Sequence, residues 1–562
     1  MKQKYIELMA RALSAYTDEH INSYFQRVQT EGLTEHGFPR LTANIGILIS
    51  HGIRTDLIPL FCRMMDFCCE QIPRVKAAND FSVREIVFCL LELERMGKLL
   101  PEIEKWKTLL LTIVPENCYN KFATKPDEVI GNWALFSALS EFARMKLTGC
   151  DSEAFIELQL ENQLHRLDEN GMYCDNLKHD AHQPIIYDLV PRYLFCILMH
   201  FGYNGKQRER IDSMLKSTAL MTLSMQSVTG EVAFGGRSNQ FVHNEGLLAI
   251  IFEYEANRYA REGNPELAGK FKAAIARAMQ MTEYWLEKAP IRHIKNRFST
   301  ETKYGCENYA YFDKYMITTA SHIFSAYMLC DDEIETGEFD DSPATLKTSA
   351  RFHKLFLRAG GYFAEFDTDA DTHYDISGLG RVHRRGAPSP ICLSLPCTSS
   401  PKYAIDLERS NKLSLCPALC RDGRWELGTS VKTQYELKDL CCDDRHAEAK
   451  LVCTFESGGQ VEHGYSVSNN GVDITVRGEG EIGYFLPAFV FDGETETQIK
   501  VEQNTLEISY LGWVCRYSTS APILELDRPA RNRNGHYRSF MARGTDQIQI
   551  KIEITKKATP NA

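Results

Sequence analysis

The sequence predicts an α+β multidomain protein: an N-terminal (α/α)6-type helical toroid of about six helix pairs, followed by a C-terminal antiparallel β-sandwich. Apolar residues recur every three or four positions as far as residue 330, and after about residue 340 they alternate in short runs. A chain of 562 residues is also too long for one hydrophobic core. We expect the toroid over 1–335, a bridging helix or linker over 336–360, and the sandwich over 361–562.

About twelve helices are predicted in the first half, each with one apolar face. Polar or glycine-bearing links join them in pairs, and Pro265 falls in a first helical turn, where its missing N–H is harmless. Polar-aromatic motifs are concentrated in particular links, which favours a closed ring with one functional end over a solenoid. The predicted helices are 3–29, 40–51, 57–71, 81–96, 101–114, 130–147, 152–168, 187–202, 207–226, 239–262, 265–288 and 308–330.

In the second half, residues 344–358 are predicted as one more helix that bridges the two domains. The short alternating runs after it are separated by turns such as Asn469-Asn470-Gly471 and Asp492-Gly493, which is typical of a sandwich of two sheets. The predicted strands are 362–366, 391–395, 432–437, 449–455, 461–467, 472–477, 482–491, 498–502, 505–509, 514–517, 523–526 and 547–554.

Composition excludes several kinds of partner. The net charge of −11 argues against nucleic acid, and no apolar run is long enough to cross a bilayer. The 18 cysteines include the adjacent pairs Cys68-Cys69 and Cys441-Cys442 but no Cys-x-x-Cys, and the N-terminal segment lacks a secretory apolar core. We therefore expect free thiols, a cytoplasmic location and no membrane partner, with a homo-oligomer as one possible assembly.

The first candidate site segment runs from Gly235 to Gly246 and leads into an apolar helix. Glycines suit a tight turn there, and the following residues place Asn239 and His243 on one helical face. Arginine offers a planar fork for a carboxylate, whereas amides and imidazole suit sugar hydroxyls. An exposed helix cap is the alternative. The predicted substrate contacts are Arg237, Asn239, Gln240 and His243.

The second segment, 304–315, places four tyrosines and two acids at the start of another apolar helix, with Asn308 as its predicted N-cap. Aromatic faces pack against the CH surfaces of sugar rings while their hydroxyls donate hydrogen bonds. A stripe of core tyrosines with hydrated hydroxyls is the alternative. The predicted contacts are Tyr304, Tyr309 and Tyr311.

The third segment contains Asp175, His179 and His182, and then Asp188 at a helix start that stabilises its charge. The spacing His179-x-x-His182 does not match the i, i+4 pattern of helical zinc sites, so no metal is predicted. A loop lining a hydroxyl-rich pocket is favoured over metal, and a solvated loop is the alternative.

The fourth segment, 373–386, is basic and glycine-rich, and it lies near the domain junction in sequence. Arg381, His383 and Arg384 are predicted to complete a cationic wall for an acidic sugar, because clefts between domains commonly bind ligands. A surface hairpin is the alternative. A second basic run, 531–538, has no role that the sequence can define. No nucleotide-binding glycine motif and no Gly-x-Ser-x-Gly is present, and no cofactor is predicted.

These segments resemble carbohydrate-active enzymes that combine a toroid with a sandwich. The chain is similar over most of its length to heparinase II/III-like lyases and toroid-type glycoside hydrolases, and above all to glycoside hydrolase family 154, the exo-β-glucuronidases. The resemblance rests on Asn132-Trp133, Tyr187-Asp188, the runs 236–245 and 305–315, and Gly378-Leu379-Gly380-Arg381. It supplies no catalytic motif to transfer, so residue roles are assigned from chemistry alone.

The leading hypothesis is an exo-acting glycoside hydrolase that removes a uronic acid, with β-linked glucuronate favoured, from an acidic oligosaccharide. Hydrolysis uses two carboxyl groups, and Glu245 with Glu307 is the predicted pair because apolar neighbours raise a carboxyl pKa. Asp188 is the substitute.

Two other functions remain open. An eliminating lyase would use Arg237, Asn239 or Gln240 to neutralise a uronate, His243 or Tyr309 as base, and another tyrosine as acid. A non-catalytic sugar-binding protein is the third possibility.

Overall fold

The computed structural model describes residues 1–178 and 181–557. Within them the chain forms helices as far as residue 329 and strands from residue 344, so the predicted order of a helical half followed by a strand half is confirmed. No helix in these ranges is long and apolar enough to cross a membrane. The helices are α1 (Lys2–Leu13), α2 (Asp18–Glu31), α3 (Gly37–Ser50), α4 (Ile58–Gln71), α5 (Asn79–Arg95), α6 (Leu100–Leu111), α7 (Pro115–Cys118), α8 (Trp133–Thr148), α9 (Glu153–Leu164), α10 (Ile185–His200), α11 (Arg208–Met225), α12 (Asn244–Arg261), α13 (Pro265–Leu286) and α14 (Phe312–Leu329).

Six of these helices form an inner ring, in which each contacts the next: α3, α5, α8, α10, α12 and α14. Helix α14 in turn contacts α3, which closes the ring. The intervening helices α2, α4, α6, α9, α11 and α13 each pack on an inner helix, and α1 covers α14. Inner helices are buried almost all round, as in α3, where all 14 residues are buried, whereas α2 has only four buried residues. The toroid is therefore confirmed.

Most helix boundaries differ from prediction by a few residues, and three of the differences have a clear local cause. The segment 3–29 is two helices, because residues 14–17 form a turn and Thr17 caps α2 by accepting the N–H of His20. Helix α12 begins at Asn244 rather than 239, because Ser238 and Gln240 have φ of 59° and 66°, which no right-handed helix contains. Helix α14 begins at Phe312, so Asn308 is not its cap.

The strands form two antiparallel sheets. The smaller has the order β1-β2-β3-β4, and the larger has the order β11-β12-β13-β15-β10-β9-β8-β7, with β14 paired to β15 and the β5–β6 hairpin paired to β10. The strands are β1 (Ala344–Lys347), β2 (Lys354–Ala359), β3 (Tyr362–Asp367), β4 (Gly378–Arg384), β5 (Pro417–Arg421), β6 (Arg424–Leu427), β7 (Gln434–Cys442), β8 (Ala447–Thr454), β9 (Gln460–Ser468), β10 (Gly471–Phe491), β11 (Gln498–Val501), β12 (Thr505–Tyr510), β13 (Trp513–Thr519), β14 (Ile523–Asn532) and β15 (Gly535–Lys556).

The small sheet lies between the toroid and the large sheet. Alternate residues of β2 and β3 belong to different cores: Phe356 and Phe363 pack with the toroid, whereas Leu357 and Ala364 pack with the sandwich. Because both faces are covered, β3 is buried at all six positions. The polar side chains that this sheet presents to the toroid must therefore find partners inside the protein.

Two predictions for this half are wrong. Residues 344–358 are not a bridging helix but β1, a turn and β2, since both faces of this segment are covered and its apolar residues do not form one stripe. Residues 391–395 are not a strand and form only an isolated bridge from Leu393 to Val382. The domain limits at 335 and 360 stay predictions.

Candidate functional site

The first turns of the inner helices meet at one end of the toroid. His36, which precedes α3, lies 4.8 Å from Phe81 of α5, and Phe81 lies 4.7 Å from Trp133 of α8. On the other side, His243 precedes α12 and lies 5.4 Å from Tyr315 of α14. These are distances between ring centroids. Each helix N-terminus carries a partial positive charge, so six of them at one mouth favour an anionic ligand. We call this end of the toroid the mouth.

A strained loop, residues 235–240, forms one wall of the mouth. Besides Ser238 and Gln240, Gly235 and Gly236 have positive φ, so four of its six residues occupy conformations that side chains disfavour. A Cβ on Gly236 would lie 2.8 Å from the Cβ of Pro184, which excludes any larger residue there. Such strain persists only where surrounding contacts fix the backbone, and it is concentrated at functional sites.

Three tyrosines converge on the side chain of Ser238. The Ser238 hydroxyl shares a hydrogen bond of 3.0 Å with the Tyr309 hydroxyl, and it also interacts with the hydroxyls of Tyr187 and Tyr315. Burial raises the pKa of all three phenols. They therefore hold their protons at neutral pH and can donate them to an oxygen atom.

His243 lies beneath these tyrosines. Its ring stacks on Phe241 and lies 5.4 Å from Tyr315, and its Nδ1 finds no hydrogen-bond partner among the described residues. Burial, followed by the nearby His322 and Arg40, lowers the pKa of His243 well below its usual value. The imidazole is therefore neutral at pH 7, and a neutral imidazole can accept a proton.

Arg237 lies at the open side of the same loop. Its Nη2 donates to Asp175 Oδ2 (2.6 Å), and its guanidinium lies 4.0 Å over the ring of Tyr187. The side chain remains 38% exposed, so it can also reach a ligand. Arg237 and Asp175 are thus brought to the mouth, as predicted.

Glu307 also reaches this loop but is fully engaged. Its Oε1 accepts the Ser238 N–H (2.6 Å), and both of its oxygens accept from the guanidinium of Arg533, at 2.7 and 2.9 Å. A carboxylate with these three bonds has no free face for a nucleophilic attack. Its predicted catalytic role is not tested, but its contacts are those of a residue that positions the loop.

Glu245 and Asp188 are buried rather than open to the mouth. Glu245 accepts from Lys295 Nζ at 2.5 Å and from the Val232 N–H at 3.3 Å. Asp188 accepts from Arg192 and from the Tyr173 N–H. Burial raises the pKa of both carboxyls, as predicted for Glu245, but neither side chain is exposed. The structure thus does not bring Asp188, Glu245 and Glu307 to one cavity, and their catalytic roles stay predictions.

Asp375, which the sequence did not single out, is a buried carboxyl at the edge of the mouth. Its Oδ2 accepts the Gly236 N–H at 2.6 Å. Burial raises its pKa to about 7, although Lys354 and this hydrogen bond oppose the shift. The neighbouring Tyr374 is only half-buried and lies 5.9 Å from the Arg533 guanidinium.

Several predicted contacts support the site instead of lining it. Asn239 donates to the Ala233 carbonyl, and Gln240 exchanges hydrogen bonds with Asn239 and Asn534, so both amides are used internally. Tyr304 is buried, stacks on Phe298 at 3.7 Å and donates to the Gly535 carbonyl. Tyr311 is exposed at the rim.

The basic wall predicted from Arg381, His383 and Arg384 does not form. Arg381 is fully buried and pairs with Glu365 at 3.1 Å, and His383 bonds Ser227 and Ser394. Arg384 donates to the Gly360 carbonyl and covers Tyr362. These residues are in β4, whose two faces are both covered, so the prediction of a substrate-facing wall is wrong.

His182 lies apart from the mouth. With His353 and Asp369 it forms a group whose ligand atoms all lie within 4.8 Å of one another, beside a cavity of about 470 Å³. Two imidazoles and a carboxylate suit Zn²⁺, but zinc ligands lie about 3.3 Å apart, so the group would have to contract to hold an ion. The sequence missed it because His353 and Asp369 are distant in the chain. His179 lies outside the described residues.

The sequence assigned no site role to six other residues of the mouth, although two of them, Tyr187 and Trp133, belong to the segments that carry the family resemblance: His36, Phe81, Trp133, Tyr187, Ser238 and Tyr315. One pattern could have found them. Each lies within the first turn of an inner helix or just before it, so polar and aromatic residues recur at the start of every second helix. Arg533 shows no such pattern. It lies 226 residues from Glu307 in the sequence, and only the fold brings the two side chains together.

No protein-family model matches the sequence, and no curated protein matches it. Among solved structures, a heparan sulfate lyase mutant from Pedobacter heparinus is similar with a TM-score of 0.45 and 9% identity, covering 92% of this chain and 77% of that one. A family 88 glycosyl hydrolase from Bacteroides vulgatus has a TM-score of 0.36 and 10% identity, covering 59% of this chain and all of its own. A family 127 β-L-arabinofuranosidase from Geobacillus stearothermophilus has a TM-score of 0.34 and 10% identity, covering 98% and 80%. Likeness at this level carries no argument about activity, and the resemblance to family 154 stays a prediction.

Proposed function

We propose that the protein is an enzyme that cleaves uronate-containing saccharides by β-elimination at the mouth of the toroid. One observation carries this proposal: the imidazole of His243, which is neutral and whose Nδ1 is buried without a hydrogen-bond partner among the described residues, lies next to a cluster of protonated tyrosines. The carboxyls predicted for hydrolysis are instead bonded to cations inside the protein. The lyase hypothesis is therefore favoured over the glucuronidase hypothesis.

Elimination needs a base, an acid and a cation for the uronate. Arg237 would bind the carboxylate, which makes the C5 proton more acidic. His243 would take that proton as the C4–O bond breaks and the C4–C5 double bond forms, and Tyr309 would give its proton to the leaving oxygen. The base then returns a proton through solvent or Ser238, which restores both groups.

Hydrolysis is the second candidate, and Asp375 favours it. A carboxyl with a pKa of about 7 is protonated below neutrality, as a glycosidase general acid must be. Its partner would be Asp175, which pairs with Arg237 at the open side of the mouth. This candidate retains the predicted removal of a terminal uronic acid but assigns it to different carboxyls.

The two reactions differ in what happens to water. Incubation with aryl glucuronides and with uronate-containing oligosaccharides in ¹⁸O-labelled water distinguishes them. Elimination yields a product that absorbs in the ultraviolet and contains no label, whereas hydrolysis yields labelled product without new absorbance. We expect the first result.

Labelled product without new absorbance would overturn the elimination proposal. Saccharide binding by calorimetry with no cleavage in either assay would instead indicate a non-catalytic binding protein.

A further inference from the structure

The basic hairpin between β14 and β15 has no role in the proposed chemistry, yet it reaches the mouth from the sandwich. Arg533 at its tip is 1% exposed. Its guanidinium donates to both oxygens of Glu307 and to the Gly305 carbonyl at 2.7 Å. A buried arginine with a two-pronged carboxylate contact has a fixed geometry, since the planar fork allows only one arrangement.

Glu307 links Arg533 to the strained loop, residues 235–240. The same Oε1 that accepts from Arg533 also accepts the N–H of Ser238, whose φ is 59°. A left-handed conformation is disfavoured for a non-glycine residue, so it needs such a contact to persist. Ser238 in turn holds the Tyr309 hydroxyl at 3.0 Å.

The next hairpin residue holds the second strained position. Asn534 Nδ2 donates to Gln240 Oε1 at 3.2 Å and to the Lys295 carbonyl at 2.9 Å. Gln240 has a φ of 66°, and its own carbonyl accepts the Lys295 N–H. Both non-glycine residues with positive φ in the loop are therefore restrained by consecutive residues of one sandwich hairpin.

We propose that Arg533 is a positioning residue, through which the sandwich fixes the Ser238 loop and the Tyr309 hydroxyl in the geometry that the reaction requires. It touches neither substrate nor reacting atoms and acts through Glu307. Lysine cannot replace it, because an ammonium is a point charge and cannot bind both carboxylate oxygens in one plane. The kinetic part of this inference rests on the proposed function, whereas the structural part does not.

Arg531 offers a matched control in the same hairpin. It pairs with Asp406 at 2.9 Å and, among the described residues, makes no hydrogen bond or ion pair with residues 235–240. Arg533→Lys and Arg531→Lys thus make the same chemical change at two neighbouring positions, only one of which faces the mouth.

The test is amide hydrogen exchange of the segment 235–242, with a peptide from α8 as internal reference. Losing a charged hydrogen bond is worth about 1.5–3 kcal/mol, so we expect about ten- to a hundredfold faster exchange in Arg533→Lys and no change in Arg531→Lys. Equal exchange in both variants overturns the proposal. If Arg533→Lys does not fold, Glu307→Gln replaces it, because this substitution removes the charge from the same contact. Unchanged exchange of segment 235–242 in Glu307→Gln would also overturn the proposal.

Kinetics give the second measurement, on any saccharide that the wild-type protein cleaves. Arg533→Lys is expected to lower kcat by at least tenfold with KM within about twofold, because binding residues such as Arg237 are untouched. A rise in KM alone would overturn the positioning role. Faster exchange in a protein that cleaves no uronide would instead reject the proposed function and leave the positioning of the loop established.

Discussion

Two basic, glycine-containing segments look alike in the sequence but differ in the structure. The run 235–246 forms the strained wall of the mouth, whereas 378–384 becomes β4 inside the small sheet. Arg237 has one ionic partner and a side chain that is 38% exposed. Arg381 has a carboxylate and two carbonyl partners and is fully buried.

The difference lies in what covers each segment. Both faces of the small sheet are packed, so Arg381 and His383 are stable only because Glu365, Ser394 and other partners satisfy them internally. The mouth has no such cover on its open side, and Arg237 and Tyr309 keep surface available to a ligand. A polar side chain is therefore informative about function only when its hydrogen-bonding capacity is not used inside the protein.

The largest expected effect is the loss of turnover when the mouth loses its acid or its base. Tyr309→Phe removes the proton donor and His243→Gln removes the imidazole, and general acid–base catalysis contributes about 10²–10⁴-fold. Each variant should lower kcat by that factor, as measured from the ultraviolet absorbance of the product.

Tyr311→Phe is the control for this pair, since Tyr311 lies in the same segment but its hydroxyl does not bond Ser238 as that of Tyr309 does. It should retain wild-type kcat. Near-normal turnover of both Tyr309→Phe and His243→Gln would contradict the assignment of the mouth as the catalytic site.

Substituting Arg381 is predicted to lower stability, whereas substituting Arg237 is predicted to lower affinity for the saccharide. Arg381→Met leaves Glu365 with the Lys354 ammonium at 3.4 Å and the Phe234 N–H at 3.2 Å, and removing one partner of a buried ion pair costs about 3–5 kcal/mol of stability. Arg237→Met breaks a partly exposed pair, which contributes about 0–1 kcal/mol. Urea unfolding should therefore separate the variants by several kcal/mol.

Saccharide binding should show the reverse order. Arg237→Met should lose most of its affinity for an acidic oligosaccharide, whereas folded Arg381→Met should keep it. Equal loss of stability in both variants would mean that the two segments do not differ as described.

The fold was predictable from the sequence because periodicity depends on local burial. The three- and four-residue spacing gave the helices of the toroid, but it could not reveal that Ser238 and Gln240 interrupt the helix before Asn244, since their positive φ depends on Glu307 and Asn534. The segment 344–358 was misassigned for the same reason, because a strand covered on both faces has no alternating pattern.

The candidate site was only partly predictable. Arg237, His243 and Tyr309 lie at helix starts and carry a local pattern, so the sequence found them. Arg533 and Asp375 come from loops more than 130 residues away, and no local pattern connects them to the mouth. The sequence could not show that Glu245 is paired with a cation, because its partner Lys295 is distant in the chain.

Asp375 connects the mouth to the small sheet. The pH dependence of stability tests whether its carboxyl is protonated in the folded protein. Burial raises its folded pKa from 3.8 to about 7, so between pH 4 and 7 the folded state keeps a proton that the unfolded state has released. Stability contributed by this group therefore falls as pH rises through that window. Asp375→Asn has no such proton, so its stability relative to wild type should rise by about 1.4 kcal/mol per pH unit between pH 5 and 7.

Urea unfolding at several pH values measures this slope. Thr372→Val, in the same loop and without an ionisable side chain, should show a constant difference from wild type. A flat difference for Asp375→Asn would mean that the carboxyl is ionised in the folded protein, and it would remove the main support for hydrolysis.

The smallest expected effect concerns apolar surface in the mouth. Trp133 is half-buried, with Phe81 at its edge and the Lys121 ammonium 4.5 Å from its ring centroid, so it offers a sugar ring both an aromatic face and a positive charge. Aromatic contacts contribute about 0.5–1.5 kcal/mol beyond area burial, so Trp133→Leu should weaken binding of an acidic oligosaccharide by about two- to tenfold in calorimetry. Trp425→Leu, in the sandwich and covered by Arg543, should leave affinity unchanged. If Trp133→Leu binds as wild type while Arg237→Met does not, the ligand contacts only the charged wall of the mouth, and the aromatic residues of the inner helices serve packing alone.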